Sequence, residues 1–390
     1  MNKNWTVYGS ELSPFTLKLL AMARYKGLPY RFLPEEGGWL DNMRITLRKE
    51  RLVRGLLPLT WPQMTEDDEF PLVPFLFGPN GENLYDSSAI GEWLDQRGTA
   101  PTPLIPADPA LRFVVKLLDE FADEWMLYLV HHFRWKVSAI DNNAGQRLGH
   151  ELRWTLLGRD APVADFFSAR QVRRLPYLFS VAPQGFHIPG LPPERQPPSR
   201  EGFPPTHALL EESYRRILLA LEPIFSRRPY LFGNVPTLAD FSLYGQIGMN
   251  LPDPSANRFI AATAPSTHEW VQRLHRHEFG STPKPELALH DDLAPLLAEV
   301  SRVYVPLMQQ NAAAVARYKQ AGQKRFNERA FNRRLCLYEG KLDGVPFRSV
   351  AKSFQAKTWR EIYKSWVRLS VRQRKRLEDI GVESEQIRSH

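Results

Sequence analysis

The hydrophobic pattern of the first hundred residues changes period in an order that few folds accommodate. Trp5-Thr6-Val7-Tyr8 alternates as a short strand, and Ser10 to Ser13 forms a loop. Pro14 then opens a helix over Phe15–Lys26, with Gly27 just past its end; proline at the start and glycine after the finish is the expected asymmetry of a helix. Tyr30-Arg31-Phe32-Leu33 reads as a second strand. A strand–helix–strand unit requires parallel pairing through a right-handed crossover. Leu40 to Gly55 is compatible with a helix, and residues 56–70 with a Pro- and acid-rich loop. Leu72 to Phe77 reads as a third strand with Pro74 inside it. Gly78-Pro79-Asn80-Gly81 is a tight turn, and Glu82–Tyr85 returns as a fourth strand. Asp86-Ser87-Ser88 then caps a helix from Ala89 to Arg97. The order is βαβ, then a ββ hairpin, then α.

Past a Pro-rich linker over residues 98–109 the pattern turns helical. Phe113, Leu117, Leu118, Phe121, Trp125, Leu129 and Phe133 recur at three- and four-residue spacing on one long helix. A second helical stretch covers about 145–175. Residues 176–206 contain nine prolines and no period, which predicts a long loop. Further helices are expected over 207–226, from Thr237 to about Leu251, and over about 266–278, followed by a polar linker at 280–292. The last hundred residues read as a separate unit. It consists of a helix over Leu293–Gly322, two strands flanking Asp343-Gly344, and an amphipathic helix carrying Trp359, Ile362, Tyr363 and Trp366.

Length and composition bound the function classes. A chain of 390 residues suggests two or three domains. No apolar run approaches the roughly 18 residues a membrane span needs. The N-terminus has no charged-then-apolar leader, so no secretory signal is expected. The single cysteine, Cys336, excludes an internal disulfide and a Cys-x-x-Cys redox pair, which fits a reducing cytoplasm. Charge is unevenly spread: 19 Lys and Arg against 4 Asp and Glu between Arg302 and Arg376 leave the rest of this net +8 chain acidic.

Four motifs, in order, resemble a cytosolic glutathione S-transferase. They are Ser13-Pro14-Phe15 between the first strand and helix, Val73-Pro74 at the third strand, and Asp86-Ser87-Ser88-Ala89-Ile90. The fourth is Thr237-Leu238-Ala239-Asp240 after Tyr230-Leu231-Phe232-Gly233. Trp270, after Pro265, resembles the helix that closes the family's second domain. The resemblance implies an α/β plus all-α architecture. Residues 1–98 would be a thioredoxin-like glutathione-binding domain and 110–280 an all-helical substrate domain carrying the long loop 176–206. Residues 290–390 would form a basic, mostly helical extension with a short hairpin. The length of 36–70, the loop 176–206 and the extension depart from the family pattern. The Ser-Pro-Phe triplet looks most like its serine-type, tau-like classes.

The resemblance also implies roles. Ser13 would stabilise the glutathione thiolate, with Tyr8 the alternative activator and Ser10 a further contact. A cis peptide at Val73-Pro74 would turn the Val73 backbone toward the cysteinyl portion of glutathione. Ser87 would hold the γ-glutamyl carboxylate and Asp86 would face its ammonium. Trp125, Tyr128 and His132 would line an apolar electrophile pocket. The implied partners are glutathione as co-substrate and an apolar electrophile, in a cytoplasmic detoxification role. Homodimerisation is common in the family, and the extension could block or replace that interface.

Each residue also has a plainer reading. Ser13 before Pro14 is good N-cap chemistry, Asp86-Ser87 a capping pair, and Pro74 an edge-strand proline. Thr237 and Asp240 form a structural capping box. Trp125, Tyr128, His131 and His132 are as compatible with core as with a pocket wall. No metal is expected; His275, His277, His290, Asp291 and Asp292 are the one loose cluster. The basic tail could be a docked subdomain covering acidic surface, a lid, or a contact for nucleic acid or membrane, with nucleic acid disfavoured. A non-catalytic module that uses the extension to bind a partner is the alternative to an enzyme.

Overall fold

The computed structural model describes residues 4–68, 73–97, 102–156, 160–280 and 284–387. The N-terminal elements are β1 (Trp5–Tyr8), α1 (Pro14–Tyr25), β2 (Tyr30–Leu33), α2 (Trp39–Val53), β3 (Phe75–Phe77), β4 (Asn83–Tyr85) and α3 (Ser87–Gln96). They form a thioredoxin-like domain with sheet order β2-β1-β3-β4. β1 and β2 are parallel and the other pairs antiparallel. Strand alternation sends Val7 and Leu76 to the face covered by α1 and α3, and Phe75 and Phe77 to the face covered by α2. β3 begins only at Phe75. Pro74 lies ahead of it, because a proline lacks the N–H that a central strand needs for its ladder. Leu72, expected at the start of this strand, residues 98–101 of the expected linker and 281–283 of the polar one lie outside the described residues.

The long helix runs from Pro109 to Val137. It comprises α4 (Pro109–Phe121), a wide π turn at Ala122–Met126, α5 (Leu127–His132) and a second π turn at Phe133–Val137. All seven apolar residues picked out by spacing along it are buried. The second helical stretch divides into α6 (Ala144–Glu151), α7 (Arg153–Leu156) and α8 (Asp160–Arg173). Residues 176–206 form a loop whose regular structure is one 3-10 turn at Pro193–Arg195. α9 (His207–Phe225), α10 (Leu238–Gly248), α11 (Pro254–Thr263) and α12 (Pro265–His275) complete the helical layer. The sequence placed no element between about Leu251 and 266, where α11 in fact lies; Pro254 is its first helical residue, where its missing N–H costs nothing. The Thr237–Asp240 capping box is present at α10. Asp240 also accepts from the Leu231 N–H at 2.8 Å, tying the preceding turn to the helix start. α10 lies so close to α1 that a Cβ on Gly245 would meet the Pro14 carbonyl at 2.5 Å. The helical layer thereby fixes the first turn of α1.

The extension comprises α13 (Ala294–Glu299), a π turn at Val300–Tyr304, α14 (Val305–Gln320), α15 (Glu328–Asn332), the hairpin β5 (Leu337–Leu342) and β6 (Val345–Val350), α16 (Ser353–Val367) and α17 (Val371–Asp379). Asp343 and Gly344 both take positive φ at the hairpin turn, as a two-residue type I′ connection requires. The extension shares the core of the helical layer. Trp366 packs on Phe113 at 5.2 Å between ring centroids, and Tyr304 on Phe121 at 6.0 Å. Its cations meet an acidic turn of the N-terminal domain. Asp67 pairs with Arg360 at 2.7 Å and with Lys319, and Asp68 pairs with Lys357 at 2.5 Å. Among the described residues, no helix is long and apolar enough to cross a membrane.

Candidate functional site

Strand register gathers the sequence-predicted residues at one end of the sheet. Tyr8 at the end of β1 pairs with Phe75 at the start of β3, and Phe75 pairs with Tyr85 at the end of β4. Three segments therefore emerge side by side: the Gly9–Ser13 turn, the Val73-Pro74 peptide and the Asp86-Ser87 helix start. The Val73-Pro74 bond is cis, as the family resemblance implies.

Ser13 is the N-cap of α1, with extended backbone at φ −95° and ψ 124°. Its carbonyl takes the Thr16 and Leu17 N–H groups, and its own N–H donates to Ser10 O at 2.9 Å. Its hydroxyl makes no capping hydrogen bond, so the plain-cap reading of this side chain is not what the structure contains. The half-buried hydroxyl sits where the positive end of the α1 dipole lies. Ser10 has a turn-forming role: its Oγ accepts from the Leu12 N–H at 3.2 Å.

Two residues from distant helices hold this turn, and neither was singled out from sequence for that task. Arg134 donates to the Leu12 carbonyl at 3.0 Å and is itself paired with buried Asp253 at 2.8 Å. Glu151, at the end of α6, accepts the Glu11 N–H at 3.1 Å. It is 5% exposed, and its Oε2 has no hydrogen-bond partner among the described residues. Burial pushes its carboxyl up to about 7, against a hydrogen bond from Ser10. No local pattern could have revealed these roles, since each contact spans more than a hundred residues of chain.

At the third segment Asp86 takes φ 66° and caps α3. Its Oδ1 accepts the Ser88 and Ala89 N–H groups at 2.9 and 3.0 Å. Burial pushes its carboxyl upward. One oxygen of the residue expected to face an ammonium is therefore occupied by its own helix. Ser87 follows, buried, and its hydroxyl has no partner among the described residues. The Val73 N–H and C=O are likewise not engaged with any described residue. Behind this surface lies a buried ion cluster. Lys18, fully buried on α1, donates to Asp119 at 2.6 Å, Asp123 at 2.7 Å and Ser88 Oγ at 2.7 Å. Ser242 Oγ adds a 2.5 Å bond to Asp119. Burial raises Asp123 despite the pull of Lys18. The cluster ties α1, the start of α3, α4 and α10 together.

Strand alternation turns Tyr8 to the α2 face, where it packs beside Leu33, Phe75 and Tyr85 with the Lys49 ammonium 5.9 Å from its ring. The residues expected to line an electrophile pocket are packed solid. Trp125, Tyr128 and His132 are 0%, 2% and 0% exposed. Trp125 Nε1 donates to Ser213 at 2.9 Å, and the Tyr128 hydroxyl receives Lys352 Nζ at 2.6 Å and Gln355 Nε2 at 2.8 Å. His132 lies between Ser180 Oγ at 2.7 Å and Glu211 Oε1 at 3.2 Å. Neighbouring His131 contacts Gln171 at 3.3 Å, and burial takes it down to about 3. The extension and the loop 176–206 supply three of these six partners, Lys352, Gln355 and Ser180, and they are the segments for which the sequence offered no precedent.

Elsewhere, His275 pairs with Tyr244 at 3.2 Å, and Asp292 with Arg228 at 2.7 Å. No group of three or more metal-ligating side chains occurs among the described residues. Cys336 is buried at the entry to β5, its thiol against the Arg325 carbonyl.

Residues 12–97 match the family described as glutathione S-transferase, N-terminal domain. No curated protein matches the chain. Among solved structures, the β-etherase LigF from Sphingobium sp. strain SYK-6 is 18% identical with a TM-score of 0.43, covering 71% of this chain and 96% of that one. The glutathione transferase GSTFuA3 from Phanerochaete chrysosporium is 16% identical with a TM-score of 0.42, covering 72% of this chain and 100% of its own. The glutathione S-transferase CsGST63524 of Ceriporiopsis subvermispora, solved in complex with glutathione, is 16% identical with a TM-score of 0.43 over 72% and 100%.

Proposed function

We propose that this chain, whose residues 12–97 carry a glutathione S-transferase N-terminal domain, is a serine-type glutathione transferase-like enzyme. The observation that carries this reading is the convergence of three segments with unengaged polar groups on one sheet end. These are the Ser13 turn, the cis Val73-Pro74 peptide and the Asp86-Ser87 helix start.

The chemistry follows from the thiol. A free thiol of pKa about 8.5 is only a few per cent ionised at neutral pH. A hydroxyl hydrogen bond to a thiolate is charge-assisted and worth roughly 1.5–3 kcal/mol. At about 1.4 kcal/mol per unit, it lowers the thiol pKa by roughly one to two units. Ser13 Oγ–H supplies that bond, and the α1 dipole acts in the same direction. Val73 N–H and C=O pair with the cysteinyl backbone like an added strand. The Ser87 hydroxyl and the start of α3 take the γ-glutamyl carboxylate. The second oxygen of Asp86 faces the ammonium. The thiol proton leaves to solvent, and the sulfur lone pair forms a bond to an electrophilic carbon of an apolar substrate. The leaving group, where there is one, departs with its electron pair. One cysteine and a glutathione-dependent reaction fit a cytoplasmic detoxification role.

Calorimetric titration of the full chain with glutathione tests this reading. One saturable site, weakened by Ser87→Ala, together with electrophile turnover that Ser13→Ala abolishes while glutathione binding is retained, supports it. Absence of binding at millimolar glutathione overturns it.

A second reading is favoured by the burial of Trp125, Tyr128 and His132. In it the same fold is a non-catalytic module that recognises a partner through its extension. Glutathione binding without turnover of any electrophile in a broad panel, and unchanged by Ser13→Ala, selects this reading.

A further inference from the structure

An open cleft of about 440 Å³ lies where the end of α8, the loop 176–206 and the segment after α15 meet. Five arginines, Arg170, Arg173, Arg174, Arg200 and Arg334, line it against one carboxylate, Glu328. The cleft belongs to segments outside the matched residues 12–97 and contains none of the residues at the sheet end.

Its charges are poorly balanced. Glu328 lies 3.0 Å from Arg174 and 3.8 Å from Arg170. Arg334 reaches Glu201, an exposed residue, at 3.1 Å. Arg173 pairs with no carboxylate among the described residues. Among the described residues, the hydrogen-bond partner of Arg200 is a carbonyl, Phe331 O at 2.7 Å. Burial, together with the nearby Arg334 and Arg348 guanidinium groups, pulls the Arg200 pKa down. Like charges at such spacing oppose one another unless an anion completes the arrangement.

The cleft is also preorganised. The Arg200 guanidinium lies 3.8 Å from the Phe331 ring centroid and 4.9 Å from that of Phe203. Arg174 covers Tyr177 at 5.7 Å. Planar forks held by rings and a carbonyl have little rotamer freedom left to lose on binding. The same stacking argues against nucleic acid. The residues lining the cleft include no aromatic side chain, and the nearby Tyr177, Phe203 and Phe331 rings lie against Arg174 and Arg200, so the lining offers no ring on which to stack a base. The lining has no large aliphatic side chain, which argues against lipid acyl chains.

We propose that this cleft is a binding site for a small diphosphate-bearing molecule. Guanidinium forks match phosphate oxygens two at a time, and five cations against Glu328 and the exposed Glu201 suit a ligand with several negative charges better than a monoanion. The volume admits a diphosphate with a modest organic group.

The test is calorimetry of the full chain at physiological ionic strength with inorganic pyrophosphate as the probe. Citrate and a single-stranded RNA serve as comparators. Saturable one-site binding of pyrophosphate, weakened at least about tenfold by Arg173→Glu, is the expected result. Arg173 is exposed and pairs with no carboxylate among the described residues, so this substitution is expected to fold, and circular dichroism and thermal melting check it. Ser13→Ala is expected to leave pyrophosphate binding intact, which separates this site from the sheet end. Absence of saturable pyrophosphate binding overturns the proposal, as does binding indifferent to both Arg173→Glu and Arg334→Gln. Citrate binding as tightly as pyrophosphate overturns the phosphate assignment. RNA binding more tightly than pyrophosphate replaces the small molecule with nucleic acid.

Discussion

The sheet end and the helical wall opposite it treat polar groups in contrary ways. At the sheet end the Ser13 and Ser87 hydroxyls and the Val73 backbone are not engaged by any described residue, although the turns around them are tightly held. Along the helical wall, Trp125, Tyr128 and His132 each have protein partners at 2.6–3.2 Å. A rigid scaffold presenting unpaired donors is suited to a polar ligand, because its groups need no reorganisation on binding. A wall whose donors are satisfied internally is suited to stability. The difference arises from what was added. The extension and the loop 176–206 pack on the helical wall, whereas the Ser13 turn at the sheet end is held by Gly245 of α10, Arg134 and Glu151.

The largest effect is expected where the two regions are joined. Lys18→Met leaves Asp119 and Asp123 buried without their cation, and breaking a buried pair from one side costs about 3–5 kcal/mol. Chemical denaturation reads this directly. A loss below about 1 kcal/mol would mean that the cluster is hydrated, and that sheet end and wall are less firmly connected than the distances indicate.

Next comes the pH dependence set by Glu151. Its folded value of about 7 lies above the ordinary 4.5. Between those two values the folded state therefore holds more protons than the unfolded state. Stability from this group is fully present at acid pH and declines as pH rises through that window, by up to about 1.4 kcal/mol per unit. Glu151→Gln keeps an acceptor for the Glu11 N–H and cannot ionise. It is expected to flatten the decline and to be more stable than the parent at pH 8, by at most about 3 kcal/mol. Melting curves from pH 5 to 8 decide it; parallel profiles for the two proteins would place the carboxylate in contact with water.

Ser13→Ala is the matching test on the sheet end. The pKa of bound glutathione, read from thiolate absorbance, is expected to rise by roughly one to two units. Turnover at neutral pH should fall roughly ten- to hundredfold, with glutathione affinity within a few-fold of the parent. Equal loss in a Tyr8→Phe variant would move the activating role across the sheet, against the orientation that strand alternation gives Tyr8.

Legibility from sequence followed the same division. β1, α1, β2 and the Asp343-Gly344 hairpin are local in origin: periodicity, Pro14, Gly27 and the turn pair state them within a few residues. That Ser13, Val73-Pro74 and Asp86-Ser87 lie together at one sheet end was readable because turn chemistry and a family resemblance coincided on them. Glu151, Arg134 and Lys18 were not. Their roles come from packing between helices far apart in sequence, and a glutamate ending a helix or a lysine inside one carries no mark of its partner. Tyr128 and His132 misled for a related reason. Periodicity shows which residues face inward but not whether a cavity or another segment meets them, and here α16 and the loop 176–206 do. α11 went unassigned because proline, here Pro254, signals a break as readily as a first helical turn.

The smallest effect bears on whether the helical wall is closed for stability or as a gate. Lys352 donates to the Tyr128 hydroxyl at 2.6 Å and its ammonium lies 4.6 Å from the ring centroid. Gln355 holds the same hydroxyl, so Lys352→Met keeps one of the two bonds and retains much of the side-chain volume. Loss of one charged hydrogen bond and a partly shielded cation–π contact is expected to cost about 1–2 kcal/mol. Glutathione affinity and the Ser13-dependent thiol pKa should be unchanged, since neither group touches the sheet end. Were turnover of bulky electrophiles instead to rise while stability fell, the contact would be a latch on a covered pocket. In that case the extension would act on catalysis, and the sheet end and the wall would no longer divide between ligand binding and support.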